Sequence, residues 1–188
     1  ARPAPLDPAM LLLGFVFAAT WFVSTAMAAH LPRLLESAGA APAAAIAAAA
    51  LVGPAQVAAR FLEFSLLRKL DPLISSYIAA VCHPVGAAAL LVAGAPAAAP
   101  FAVLHGAGNG VLTIARGTVP LALFGPEGYG LRQGWLAAPA RLAAVFAPAS
   151  FALLIERIGA GALWVSASLG LISLGALLLL PLMARRTT

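Results

Sequence analysis

The sequence predicts an all-α membrane protein of six transmembrane helices, arranged as two inverted three-helix repeats. Three observations carry this. First, charged residues are 9% of the 188-residue chain, hydrophobic residues are 63%, and the mean hydropathy is +1.01. A soluble domain carries roughly 25% charged residues, so this chain cannot build a water-facing surface. Second, six apolar runs each reach the length of about 20 residues that a bilayer core requires. Third, the basic residues collect at the ends of these runs, and mostly on one side.

The runs follow in order. The first spans about 8–30, from Pro8 to His30, and is closed by Leu-Pro-Arg and Ser-Ala-Gly within 31–39. The second, about 41–67, is alanine-rich and ends before Arg-Lys-Leu-Asp-Pro at 68–72. The third covers about 72–94. Its joint to the fourth, at Gly94–Pro96, is so short that the two helices must be antiparallel neighbours. The fourth, about 96–122, ends before Gly-Pro-Glu-Gly at 125–128, and the fifth and sixth cover about 129–155 and 160–183. Pro54, Pro84, Pro139 and Pro148 fall inside spans, where a membrane bundle tolerates them as kinks. The whole chain, 1–188, forms a single six-helix domain.

Six spans put both termini on one side. That side collects Arg2, Arg68, Lys69, Arg132, Arg185 and Arg186, and the other only Arg33 and Arg157, each with an acid beside it, Glu36 and Glu156. The bias makes both termini cytoplasmic. The net charge of +5 and pI of 10.7 therefore reflect membrane topology, and no nucleic-acid partner is expected. Cys82 is the only cysteine, which excludes an intrachain disulfide and a thiolate metal site. There is no His-Glu-x-x-His, and no metal, cofactor or enzymatic activity is expected. The chain opens Ala-Arg-Pro-Ala-Pro without an initiating Met, as a fragment or a chain beginning in a linker would.

An internal repeat supports the three-helix division. Pro54-Ala-Gln-Val-Ala-Ala59 in the second helix matches Pro139-Ala-Arg-Leu-Ala-Ala144 in the fifth, and Leu31-Pro32 matches Val119-Pro120. Three is odd, so the second unit would cross the membrane in the opposite sense, as an inverted-topology repeat.

The stretch from Asn109 to Glu156 carries a family likeness. Arg116-Gly117, Phe124-Gly125-Pro126-Glu127, Arg132-Gln133-Gly134 and Pro148 follow one another as a glycine-rich helix with an arginine, a short turn, and a proline-interrupted helix. In this the chain resembles the major facilitator superfamily of transporters. The loop after the second helix, Leu-Leu-Arg-Lys-Leu-Asp-Pro-Leu, lacks the glycines of that family's signature loop, which points to the C-terminal six-helix half. The resemblance implies that the first and fourth helices line a central cavity, the second and fifth face another half, and the third and sixth are peripheral. It further implies secondary active transport of a small-molecule substrate by alternating access in a bacterial inner membrane. The partners would be the lipid bilayer and either a missing N-terminal half or a second copy of the chain.

Ionisable residues inside spans are expensive and become functional candidates. His105 and Asn109 are four apart on the fourth helix and share a face, to bind substrate, carry a proton or bond a neighbouring helix. Arg141, mid-way along the fifth helix, and Gln56, its repeat counterpart, complete the expected substrate set; no acid lies near Arg141 in its own helix. Arg60 and Glu63, three apart, are placed for a structural or gating ion pair. Arg116 would bind an anionic substrate or clamp the following loop through Glu127. His83 is expected to pack, or to bond backbone freed by Pro84. Trp21, Ser24 and Thr25 reach toward a cavity or simply pack. Two other readings stay open. One is a scaffold subunit without transport. The other is a rhomboid-like protease, for which Gly-x-Ser-Gly and a histidine after His105 are both missing.

Overall fold

The computed structural model describes residues 7–67 and 71–184, and all regular structure among them is helical. Helix α1 (Pro8–Ser37) and helix α4 (Pro72–Ala93) begin alike. Asp7 accepts from the Ala9 N–H at 2.9 Å and Asp71 from the Leu73 N–H at 2.8 Å, each with proline at the next position. A carboxylate cap satisfies an orphan amide and opposes the helix dipole, while proline has no amide to lose there.

Pro84, Pro139 and Pro148 are tolerated inside helices, as expected, and so is Pro32, which the sequence places at a helix end. Helix α1 does not stop at Leu31-Pro32 but runs on to Ser37. It ends where Gly39 takes a φ of 96° and the Ala40 N–H donates to the Leu35 carbonyl at 3.0 Å. Helices α5 (Ala98–Phe124) and α6 (Tyr129–Ile158) likewise continue through Pro120, Pro139 and Pro148. Only the second run divides, into α2 (Pro42–Ala50), α3 (Val52–Leu62) and a π turn, Glu63–Leu67. Ala50, the last residue of α2, is four before Pro54, the carbonyl against which a proline ring clashes. Helix α7 (Ala162–Ala184) follows a 3-10 turn at Gly159–Gly161.

Five stretches are long and apolar enough to cross a membrane: Pro8–Ser37, Pro42–Leu66, Pro72–Ala93, Ala95–Phe124 and Tyr129–Met183. The last runs to 55 residues and contains both α6 and α7. The surface agrees with a lipid environment. Val145 is 73% exposed and Phe61 70%, among many large apolar side chains on α3, α6 and α7; a water-soluble monomer rarely shows so much. The chain is an integral membrane protein.

Helix α1 packs along α6 and against α7, α5 along α4 and α3, and α4 against α7. Two apolar clusters fill the ends of the bundle. One joins Leu13 and Val16 to Leu73, Val119, Leu136 and Leu177. The other joins Met27 and Leu35 to Leu90, Phe101, Phe151 and Leu163. Lipid offers these side chains no hydrophobic penalty, so close van der Waals packing holds the helices together.

The topology bases Arg2, Arg68, Lys69, Arg185 and Arg186 lie outside the described residues. Arg132, the remaining one, is buried and donates to the Phe124 carbonyl at 2.7 Å. Arg33 turns away from Glu36 and bridges to Glu156 at 3.4 Å, joining the ends of α1 and α6. Both side chains are about half exposed, at 50% and 55%. Such a pair contributes under about 1 kcal/mol. Glu156→Gln is therefore expected to shift stability by no more than about 0.5 kcal/mol, read as the thermal unfolding midpoint in detergent.

Candidate functional site

Between the two apolar clusters, at the middle of the helices, polar side chains converge. Close approach of α4 and α5 makes this possible. A Cβ at Gly108 would sit 2.7 Å from the Ala79 carbonyl oxygen, and one at Gly86 would sit 3.0 Å from the Phe101 ring. Only glycine permits that spacing. It brings His83 of α4 and His105 of α5 into direct contact, Nδ1 to Nδ1 at 3.0 Å. The rings meet edge-on with centroids 5.0 Å apart, and Phe101 lies against both, at 5.6 and 6.1 Å. Both histidines are buried. His83 Nε2 has no partner, and neither has the buried Ser173 hydroxyl of α7.

Two adjoining clefts open on this pair. The inner one, about 40 Å³, is lined by Thr20 and Ser24 of α1, by His83, His105 and Asn109, and by Leu169, Gly170 and Ser173 of α7. The outer one, about 280 Å³, is lined by Ser24, Ala28 and Pro32 of α1, by Ala49, Val52 and Gln56, and again by His105 and Asn109. Ser24, His105 and Asn109 thus form the wall common to both. Thr20 does not present a free donor, since its hydroxyl bonds the Val16 carbonyl at 2.8 Å. Among the described residues, no Asp, Glu, Lys or Arg lines either cleft.

The chain matches no family model, no curated protein and no solved structure.

Of the residues expected from sequence, the structure brings His105, Asn109 and Gln56 together at the outer cleft. Arg141 is not with them. It is exposed on α6, among apolar residues that face outward. The expected Arg60–Glu63 pair is not formed; the Arg33–Glu156 contact is the one ion pair among the described residues. The helix widens into a π turn at Glu63, which changes the register that three-residue spacing assumes. Nor does Arg116 clamp Glu127, which is exposed in the α5–α6 turn. Its guanidinium lies 4.5 Å over the Trp21 ring, and its Nε and one terminal nitrogen are buried without hydrogen-bond partners. The turn is held by other groups. The Tyr129 hydroxyl donates to the Gly117 carbonyl at 3.1 Å, and the Gln133 amide to the Arg116 carbonyl at 2.9 Å.

His83, expected to pack or to bond backbone freed by Pro84 on a peripheral helix, does pack against Phe101 but bonds His105 rather than backbone. A signal for it existed. In a tight antiparallel hairpin, residues equidistant from the turn face each other. His83 and His105 each lie eleven positions from Gly94, the centre of the α4–α5 joint. Helix α7, also expected to be peripheral, supplies Gly170 and Ser173 to the inner cleft. A third histidine, His30, donates from Nε2 to the Pro148 carbonyl at 2.8 Å and ties α1 to α6 away from the pair.

Proposed function

We propose that this chain forms one wall of a secondary active transporter, moving a small solute past His105, Asn109 and Gln56 by alternating access. The observation that carries this reading is a pair of clefts that bring Ser24, Gln56, His105 and Asn109 together at mid-height of an otherwise apolar bundle, between two packed apolar clusters. Polar groups at that depth are costly and are kept where they face a solute pathway.

The packing pattern supports the inverted-repeat architecture. Exchange the first three spans (α1, α2–α3, α4) for the last three (α5, α6, α7) and the neighbours are preserved. The α1–α6 contact becomes α5–α3, the α4–α5 contact becomes α7–α1, and α4–α7 maps onto itself. That is the relation expected of two units related by a two-fold axis in the membrane plane. In this reading α6 and α7 are separate crossings, giving six in all with both termini cytoplasmic. The exposed faces of α3 and α6, with Arg60 and Arg141, meet a second six-helix unit. The resemblance to the major facilitator superfamily points the same way. Arg116, two turns beyond Asn109 on α5 and without an acid partner, lines neither cleft in this conformation and would meet an anionic solute only in another state of the cycle.

The test is flux through the full-length protein. Uptake or efflux of a panel of small solutes, anions included, is compared between cells that express it and cells that lack it. Asn109→Ala and Gln56→Ala should each raise the half-saturating concentration about three- to tenfold, the worth of one hydrogen bond to the solute. A protein that folds and inserts but changes the movement of no solute would overturn the reading.

A further inference from the structure

The histidine pair has a property that follows from counting protons. Two neutral imidazoles carry one ring proton each. A contact between the two Nδ1 atoms at 3.0 Å requires one of them to be protonated and the other bare. Whichever ring donates therefore has a bare Nε2, and the ring that accepts has its proton on Nε2. The pair always offers one vacant nitrogen. An extra proton on that nitrogen makes the donor ring an imidazolium and leaves the Nδ1–H···Nδ1 bond intact, now strengthened by the charge. The bridging proton can then cross to the other Nδ1, carrying the charge with it. A second extra proton would put a hydrogen on both Nδ1 atoms and break the contact. The capacity of the pair is one.

The surroundings give this a direction. His105 lines both clefts, whereas His83 lines the inner one alone. His83 Nε2 is sealed, and its ring edge faces α7, where a Cβ at Gly170 would lie 4.0 Å from His83 Cδ2. We propose that the His83–His105 pair is a proton-binding site, loaded from the clefts through His105 and holding a single proton across both rings. This proton is the coupling ion of the transport cycle. The coupling role rests on the transport reading above; the binding of the proton does not.

Among the described residues, no neighbouring group competes for the proton or neutralises it. Helix α1 presents Ser24 and the self-bonded Thr20, α3 presents Gln56, α5 presents Asn109, and α7 presents Ser173. The Cys82 thiol on α4 bonds its own helix at the Ile78 carbonyl. Arg116 is eleven residues along α5 from His105, roughly 16 Å at 1.5 Å per residue. With no carboxylate at hand, the loaded pair must be met by water or by an anion entering the clefts. Loaded and unloaded forms thus favour different cleft contents, which is the differential binding that a coupled conformational cycle requires.

Nitrogen NMR of the full-length protein in lipid nanodiscs, labelled with ¹⁵N-histidine, tests this without relying on a variant. His30→Gln removes the third signal of the chain. At the alkaline end, one ring should show protonated Nδ1 and the other protonated Nε2. As the pH is lowered from about 8 to about 4, a range bracketing histidine's ordinary titration, both rings should shift in one shared step with uptake of a single proton. His105→Gln should abolish the response of His83, and His83→Gln should leave His105 titrating alone. The proposal is overturned if both rings stay neutral to the acid end, or if each takes up a proton independently of the other's replacement. If the pair titrates as one but solute flux ignores an imposed proton gradient, the coupling role is wrong. If no solute moves under any condition while the shared step is present, the transport reading fails and the proton site stands.

Discussion

Replacing Gly106 and Gly110 together by alanine is expected to force α3 away from α5 and to destabilise the protein by about 2–6 kcal/mol. The neighbours of these glycines are backbone. A Cβ at Gly106 would lie 2.6 Å from the Val52 carbonyl oxygen, and one at Gly110 would lie 2.6 Å from that of Gln56. A side chain could rotate aside, but a carbonyl in a helix cannot, so the whole of α3 must shift. Overpacking of this kind costs about 1–3 kcal/mol per site. Lipid provides no hydrophobic force to press the helices back together. The same shift would carry Gln56 away from His105 and Asn109, so the outer cleft would lose its far wall. Cys82, half-buried and the only cysteine, supplies the readout: its labelling by a thiol dye on heating reports the unfolding midpoint. Gly175→Ala is the control. Nothing lies within 4 Å of a Cβ there, and alanine in a helix is about 1 kcal/mol better than glycine. A double variant as stable as the parent would show that α3 and α5 are not in backbone contact.

Arg116→Met is expected to stabilise the fold and to impair the function. The guanidinium keeps two buried nitrogens without partners, and each such group costs about 1–3 kcal/mol. Its stacking on Trp21 at 4.5 Å returns about 0.5–2 kcal/mol. Methionine fills similar space beside the indole and buries no charge, so a net gain of about 1 kcal/mol or more should appear in the unfolding midpoint. Arg116 lines neither cleft here; where the cycle brings it to an anionic solute, the loss is one charge-assisted hydrogen bond at about 1.5–3 kcal/mol, so flux should fall about tenfold or more. Arg116→Lys keeps the charge but not the flat stacking surface, and should retain part of the flux. A less stable Arg116→Met protein would mean that the arginine is a structural strut.

Much of the fold was legible because each signal was local. The Asp-Pro pairs at 7–8 and 71–72 begin helices, Gly94 ends one, and the apolar runs became helices of spanning length. His105 and Asn109 could be placed on one face because four-residue spacing does not depend on what surrounds the helix. Other features were misjudged where the outcome depended on distant partners. Arg33 has an acid three residues on, yet it bonds Glu156, which is nearer in space on α6. Pro32 looked like a helix end and is not one, because packing against α6 and α7 holds the turn that its missing amide weakens. His83 looked peripheral because the family resemblance made the third helix peripheral, and in a span apolar on every side hydropathy does not say which face turns inward.

The amino-acid sequence by itself determined the solvent this protein needs, the helical content that such a solvent demands, and the lengths and turns of the helices. Those are consequences of composition and of backbone hydrogen bonds that lipid cannot satisfy. Tertiary structure alone decided the site: which glycines let helices touch, which histidine meets which, and which arginine is left without a partner. Contacts within about 3 Å between residues far apart in the chain depend on how rigid helices seat against one another, and no local pattern of residues encodes that.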